Sequence, residues 1–271
     1  MPRQSASRPV VGPIARTGRL AWALALALAI GPTLAPTAHP APASSASPRI
    51  GAPGMLQPHT GALLVDYYEA FLRNQDIDTF RRSVSARYSE GTLARLLQAR
   101  DPQARRASVL ALGLFGGFGS NAALARALRD ADPTVRTLAD NALWAVWFRA
   151  DTPENNEALA KVQESINRGR LAEAVERADR LIARAPEFAE AYNQRAIAHF
   201  FQGRLAESVA DCRDVLARNP YHFGALSGMG QGLLRLGRRD EAVAAFRKAL
   251  DLQPDKEGLR DLIAELELGN E

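Results

Sequence analysis

Apolar side chains in the second half of the chain recur at helical spacing inside a fixed frame. Ala174, Ala178 and Ile182 stand at i, i+4 and i+8 between Gly169 and Pro186, and the frame returns every 34 residues. Gly169-Arg-Leu-Ala-Glu-Ala-Val175, Gly203-Arg-Leu-Ala-Glu-Ser-Val209 and Gly237-Arg-Arg-Asp-Glu-Ala-Val243 mark it, with Pro186, Pro220 and Pro254 in step. Ala178 aligns with Cys212 and Phe246, and Ile182 with Leu216 and Leu250. A stripe at this spacing covers one face of a helix. The glycine ends one helix in a left-handed conformation at no steric cost, and the proline stops the next. Each unit therefore reads as a helix pair, with small residues such as Ala196 and Gly230 where helices cross. The units fall at about 155–188, 189–222 and 223–256, and Lys256–Leu268 reads as a capping helix that completes a region 153–271.

The preceding region, 61–150, keeps a different period. Asp101-Pro-Gln-Ala-Arg105 and Asp132-Pro-Thr-Val-Arg136 lie 31 residues apart, and Leu93, Leu97, Ala111 and Leu112 align with Leu124, Leu128, Ala142 and Leu143. Asp-Pro suits a helix start, with the Asp as cap and the Pro at the first helical position. The Arg in the first turn is placed to reach a carboxylate of an adjacent unit. Two units are expected, at about 92–120 and 122–150, with the helical but unmarked residues 61–90 as an amino-terminal cap. Leu143, Trp144, Val146, Trp147 and Phe148 crowd one helix just before Asp151-Thr-Pro153. This cluster is expected to bury against the next helix, 154–168, joining the arrays into one continuous all-α solenoid; an exposed ligand platform is the alternative.

The amino terminus changes the charge picture. The chain has 34 Lys+Arg and 30 Asp+Glu among 271 residues, and its pI is near 9.6, which invites a nucleic-acid reading. The whole excess of +4 equals Arg3, Arg8, Arg16 and Arg19, which precede the apolar run Leu20–Ile30 in a stretch without acids. A cationic start followed by a short apolar run is the pattern of an export signal, whereas a spanning helix needs roughly 20 apolar residues. Cleavage is expected after Ala43 or Ala38, giving a signal over 1–43, a Pro/Ala/Ser-rich linker over 44–60 and a periplasmic or secreted protein. An uncleaved inner-membrane anchor, lengthened by Leu34 and Ala35, is the alternative. Without the signal the chain is formally neutral, so no overall positive field remains to hold a nucleic acid.

Chemistry is sparse. One cysteine excludes an internal disulfide framework, and Cys212 falls on a core stripe. His39, His59, His199 and His222 are too scattered for a metal centre. Ser227 misses a nucleophile elbow, and Gly113-Leu-Phe-Gly-Gly-Phe-Gly-Ser120 lacks the Lys-Ser/Thr ending of a phosphate loop. No catalytic constellation, cofactor site or metal site is expected.

The 34-residue units resemble the tetratricopeptide repeat family, whose helix pairs stack into a right-handed superhelix. The aromatic usual early in the first helix is present as Tyr192, but Ala158 and Leu226 stand there in the other units. The 31-residue units resemble short HEAT-like repeats. The tetratricopeptide resemblance implies a concave groove, lined by first helices, that takes extended or helical peptides. By register its positions are Asn156, Leu159, Gln163 and Asn167; Glu190, Asn193, Ile197 and Phe201; and Ser227, Gln231 and Arg235. Asn156, Gln163, Asn193, Ser227, Gln231 and Arg235 are the polar candidates, because amides satisfy both donor and acceptor of a ligand backbone. Ordinary surface polarity is the alternative at each. A clamp for a terminal carboxylate needs Lys and Arg at set groove positions; here no Lys occupies them and Arg235 stands alone, so a carboxy-terminal ligand is not expected. The expected function is a non-catalytic scaffold of the bacterial cell envelope that binds a protein or peptide, not nucleic acid, and meets a membrane only if the signal is retained. The alternative is a membrane-anchored accessory subunit of an envelope enzyme or of a secretion or assembly complex.

Overall fold

The computed structural model describes residues 60–268, and every regular element among them is helical. The order is α1 (Thr60–Asn74), α2 (Ile77–Ser85), α3 (Glu90–Leu96), α4 (Pro102–Phe115), α5 (Asn121–Ala127) and α6 (Pro133–Phe148). The 34-residue units follow as α7 (Pro153–Asn167) with α8 (Leu171–Arg184), α9 (Ala189–Phe201) with α10 (Leu205–Arg218), and α11 (Phe223–Arg235) with α12 (Arg239–Leu252). α13 (Glu257–Leu268) closes the array. The export signal and the linker expected before Thr60 lie outside the described residues.

In the first array the Asp-Pro marks behave as local chemistry dictates. Asp101 accepts from the Gln103 amide and Asp132 from those of Thr134 and Val135, with Pro102 and Pro133 opening α4 and α6. The aligned apolar pairs are core: Leu93, Leu124, Leu112 and Leu143 are all fully buried. The marked arginines tie the turns together. Arg105 donates from Nε and Nη2 to the two Asp130 oxygens, each at 2.8 Å, and from Nη1 to the carbonyls of Ala99 and Arg100. Its register partner Arg136 caps the carbonyls of Asp130 and Ala131 and pairs with Asp255, in the turn between α12 and α13. The last turn of the second array thus supplies the carboxylate that a further Asp-Pro unit would have supplied.

A two-point fork of this kind is geometry-specific. Arg105→Ala is expected to lower unfolding free energy by about 1–3 kcal/mol, and Arg105→Lys to recover little, because an ammonium cannot form the fork. Urea denaturation followed by circular dichroism checks this, and an alanine variant as stable as wild type would show the ladder to be ornamental.

In the second array Gly169, Gly203 and Gly237 take φ of +72°, +79° and +74°, with open space where a Cβ would sit, so the left-handed turn and not crowding selects glycine there. Gly230 is chosen for the opposite reason: a Cβ there would run into the Phe246 ring, which is buried. First helices of successive units touch, α7 with α9 and α9 with α11, while the second helices meet little. The array therefore curves with α7, α9 and α11 on its inner side.

The two arrays belong to a single compact unit, and α6 is what joins them. From its start to its end it runs back along the second array, from the third unit towards the first. Arg136 meets Asp255, Asp140 accepts from Lys256 at 3.0 Å and from Gln253, Trp144 and Trp147 pack on His222 and Phe223, and Phe148 joins the cluster containing Leu159. Arg129, just before α6, donates to the Asp251 carbonyl. The sequence pattern alone assigns the aromatic cluster to the helix 154–168. Phe148 does pack there, but both tryptophans cover the junction of the second and third units instead, because α6 doubles back over three units rather than abutting one.

Candidate binding groove

The register positions of the inner helices form four rows, and their exposure grades from one end to the other. In the first row Asn156 is half-buried, Glu190 is 1% exposed and Gly224 is buried. In the second, Leu159 and Asn193 are buried and Ser227 is half-buried. Gln163, Ile197 and Gln231 in the third row are all half-buried, and Asn167, Phe201 and Arg235 in the fourth are all exposed. The cause is α6. A Cβ on Gly224 would lie 2.6 Å from Cη2 of Trp144, so the indole already fills the inner face at that row. Trp147 stacks on His222 with ring centres 4.1 Å apart, and its Nε1 donates to Asn121, which in turn donates to Asn219. The amino-terminal half of the groove is occupied by the protein's own helix, and the carboxy-terminal half is open.

Beneath α6 the polar groups satisfy one another. Glu190 accepts from Nδ2 of Asn193 at 2.8 Å, from Nε2 of Gln194 at 2.8 Å and from Nε2 of His222 at 2.9 Å. Nδ1 of His222 accepts the Ala225 amide and so caps α11, which leaves the ring proton on Nε2. Buried polar groups persist when paired in this way. Asn193, expected to face a ligand, is therefore corrected to a buried member of this cluster, 2% exposed. Asn156 is also engaged, bonding the amide and carbonyl of Asp151 at the start of the array. Of the polar candidates, Gln163, Ser227, Gln231 and Arg235 remain on the accessible inner face.

Arg235 lies over the Phe200 ring, 4.9 Å from its centre, and Phe200 packs edge-on against Phe201. Phe200 is not one of the register positions of the groove. The sequence did hold a signal for the occluded half: the series Asn156, Glu190, Gly224 ends in a side-chain-free position within reach of a tryptophan-rich helix.

Between the helix rows, Arg195 joins units by donating to both oxygens of Asp211 and to Asp179 at 2.6 Å. The Asp211 hydrogen bond holds this guanidinium protonated above its usual range, while burial pushes the His199 imidazole below its own. These groups brace the repeat rather than form a site. Burial also pushes the Cys212 thiol up to about 12. Because the thiolate is the reactive form, Cys212 is expected to resist a disulfide reagent in the native protein and to react fully in denaturant. Native labelling at the denatured rate would place the thiol outside the core.

A tetratricopeptide-repeat family model matches residues 159–223 and a second matches 223–256. A TPR repeat-containing protein of Rhizobium etli is 30% identical over 126 residues, which are 46% of this chain and 62% of that relative, so the chain spans less than two thirds of its length. Among solved structures, the first TPR of Spaghetti (RPAP3) bound to HSP90 peptide SRMEEVD is 20% identical with a TM-score of 0.42, covering 44% of this chain and 94% of that one. A thermophilic TPR protein of Thermus thermophilus is 21% identical with a TM-score of 0.34, covering 77% and 100%. Residues 159–256 thus match tetratricopeptide-repeat models, within an all-α solenoid.

Proposed function

We propose that this protein is an exported, non-catalytic scaffold of the bacterial cell envelope that holds a protein or peptide partner on the open half of its tetratricopeptide groove. The observation that carries the reading is the graded inner face, where Gln163, Ser227, Gln231 and Arg235 remain accessible beside Ile197 and Phe201. Amides next to apolar side chains suit a peptide, whose backbone needs donors and acceptors and whose side chains need an apolar floor. The first array, with HEAT-like Asp-Pro units, acts as a brace that fixes the curvature of the second. Export rests on the cationic and then apolar amino-terminal sequence.

Affinity capture from the native envelope, with Gln231→Ala/Arg235→Ala beside wild type, tests the groove. The expected result is at least one partner lost by the double variant, and a partner list identical for both proteins would reject the site. Mass determination of the mature amino terminus tests export. A start at Ser44 or His39 supports it, and a start at Met1 favours the second reading, an anchored accessory subunit of an envelope complex, for which the added apolar Leu34 and Ala35 speak.

A further inference from the structure

We propose that the open half of the groove is built for a short, extended apolar segment carrying a carboxylate, with the carboxylate on Arg235 and the apolar side chains on Ile197 and Phe201. This deepens the scaffold reading and rests on it. Three observations lead there. First, α6 closes the amino-terminal half, and the polar groups it covers are already bonded to one another, so a partner gains nothing from Glu190 or Asn193. Three inner helices packed about 10 Å apart span roughly 20 Å, which about six extended residues cover.

Second, the middle inner helix gives the open half an apolar strip between the amides of its neighbours: Ile197 is half-buried and Phe201 is 37% exposed. Third, the charges at the ends of the inner helices are not equivalent. Arg168 pairs with Glu164, Arg170 with Glu173, Arg204 with Glu207 and Arg238 with Glu241. Arg235 is exposed and has no carboxylate within ion-pair distance among the described residues; the group it rests on is the Phe200 ring. Contact with the face of an aromatic ring uses none of a guanidinium's N–H donors, and those donors match a carboxylate. An uncompensated cation beside an apolar strip selects for a partner with the opposite charge next to apolar residues.

The test uses the full chain and fluorescein-labelled peptides of about six residues, read by fluorescence anisotropy. One peptide alternates leucine and glutamate, a second replaces glutamate by glutamine, a third by lysine, and a fourth replaces leucine by serine. The expected result is that the leucine–glutamate peptide binds best, about fivefold tighter than the glutamine version, as a partly exposed ion pair allows, and that the serine version does not bind. Arg235→Glu, at an exposed position, is expected to reverse the preference in favour of the lysine peptide. Equal binding of the glutamate and glutamine peptides overturns this inference while leaving the groove reading intact. Failure of all four peptides rejects both. Sedimentation of the chain alone distinguishes another occupant: concentration-dependent association abolished by Arg235→Glu would assign the surface to a second copy and overturn the peptide assignment.

Discussion

Trp147→Ala is expected to remove about 3–5 kcal/mol of unfolding free energy, the range for truncating a buried aromatic to alanine. Trp147 is 1% exposed and makes three kinds of contact at once. It stacks on His222, packs against Phe223 with ring centres 5.0 Å apart, and donates to Asn121 at 2.8 Å. Alanine would leave a cavity beneath α6 and an Asn121 oxygen without its donor. Because this side chain binds the last helix of one array to the middle of the other, the loss is expected to spread beyond α6. Hydrogen exchange of the first half of α9, whose residues Glu190, Asn193 and Gln194 lie buried, should quicken in the variant more than that of α13. Trp147→Phe keeps a ring but no donor, and should lie between wild type and alanine. Urea denaturation gives the free energies, and a loss below about 1 kcal/mol for the alanine variant would mean that α6 does not rest on the second array.

The second large effect belongs to Glu190. Glu190→Ala strips an acceptor from His222, Asn193 and Gln194 together, in a place with 1% exposure where water does not replace it. Each buried donor left unpaired costs about 1–3 kcal/mol, and coupled losses do not simply add. A total on the order of 3 kcal/mol is expected. Glu190→Gln preserves shape and one acceptor, and should cost about half as much. The order alanine, then glutamine, then wild type in rising stability is the prediction, measured by chemical denaturation at neutral pH. A neutral alanine variant would show that the three side chains find other partners. Neither substitution touches Gln163, Gln231 or Arg235, so peptide binding at the open half should persist wherever the fold persists.

The repeat glycines, the prolines and the Asp-Pro marks are legible because each acts within a few residues of itself. Gly203 ends α9 and Asp132 caps α6 whatever lies across the molecule. The reach of Arg105 to a carboxylate of the next unit is also legible, since repetition places that unit's turn, with Asp130, beside the first turn of α4. The pairing of Arg136 with Asp255 is not: it spans 119 residues and joins two repeat types of unequal period. For the same reason the register of the inner helices gives Asn193 and Gln231 the same standing, although one is buried and the other accessible.

Local patterning alone determined the helices, their order, the three 34-residue helix pairs and the inner row of side chains, because periodic burial and capping are written in neighbouring residues. Which part of that inner row meets solvent was decided only by tertiary structure. It depends on α6 lying across three units, through contacts such as Asp140 with Lys256 at a separation of 116 residues. Packing between non-repeating partners leaves no period along the chain. The same tryptophans that advertise a buried cluster do not state what they bury, and here they bury half of the groove.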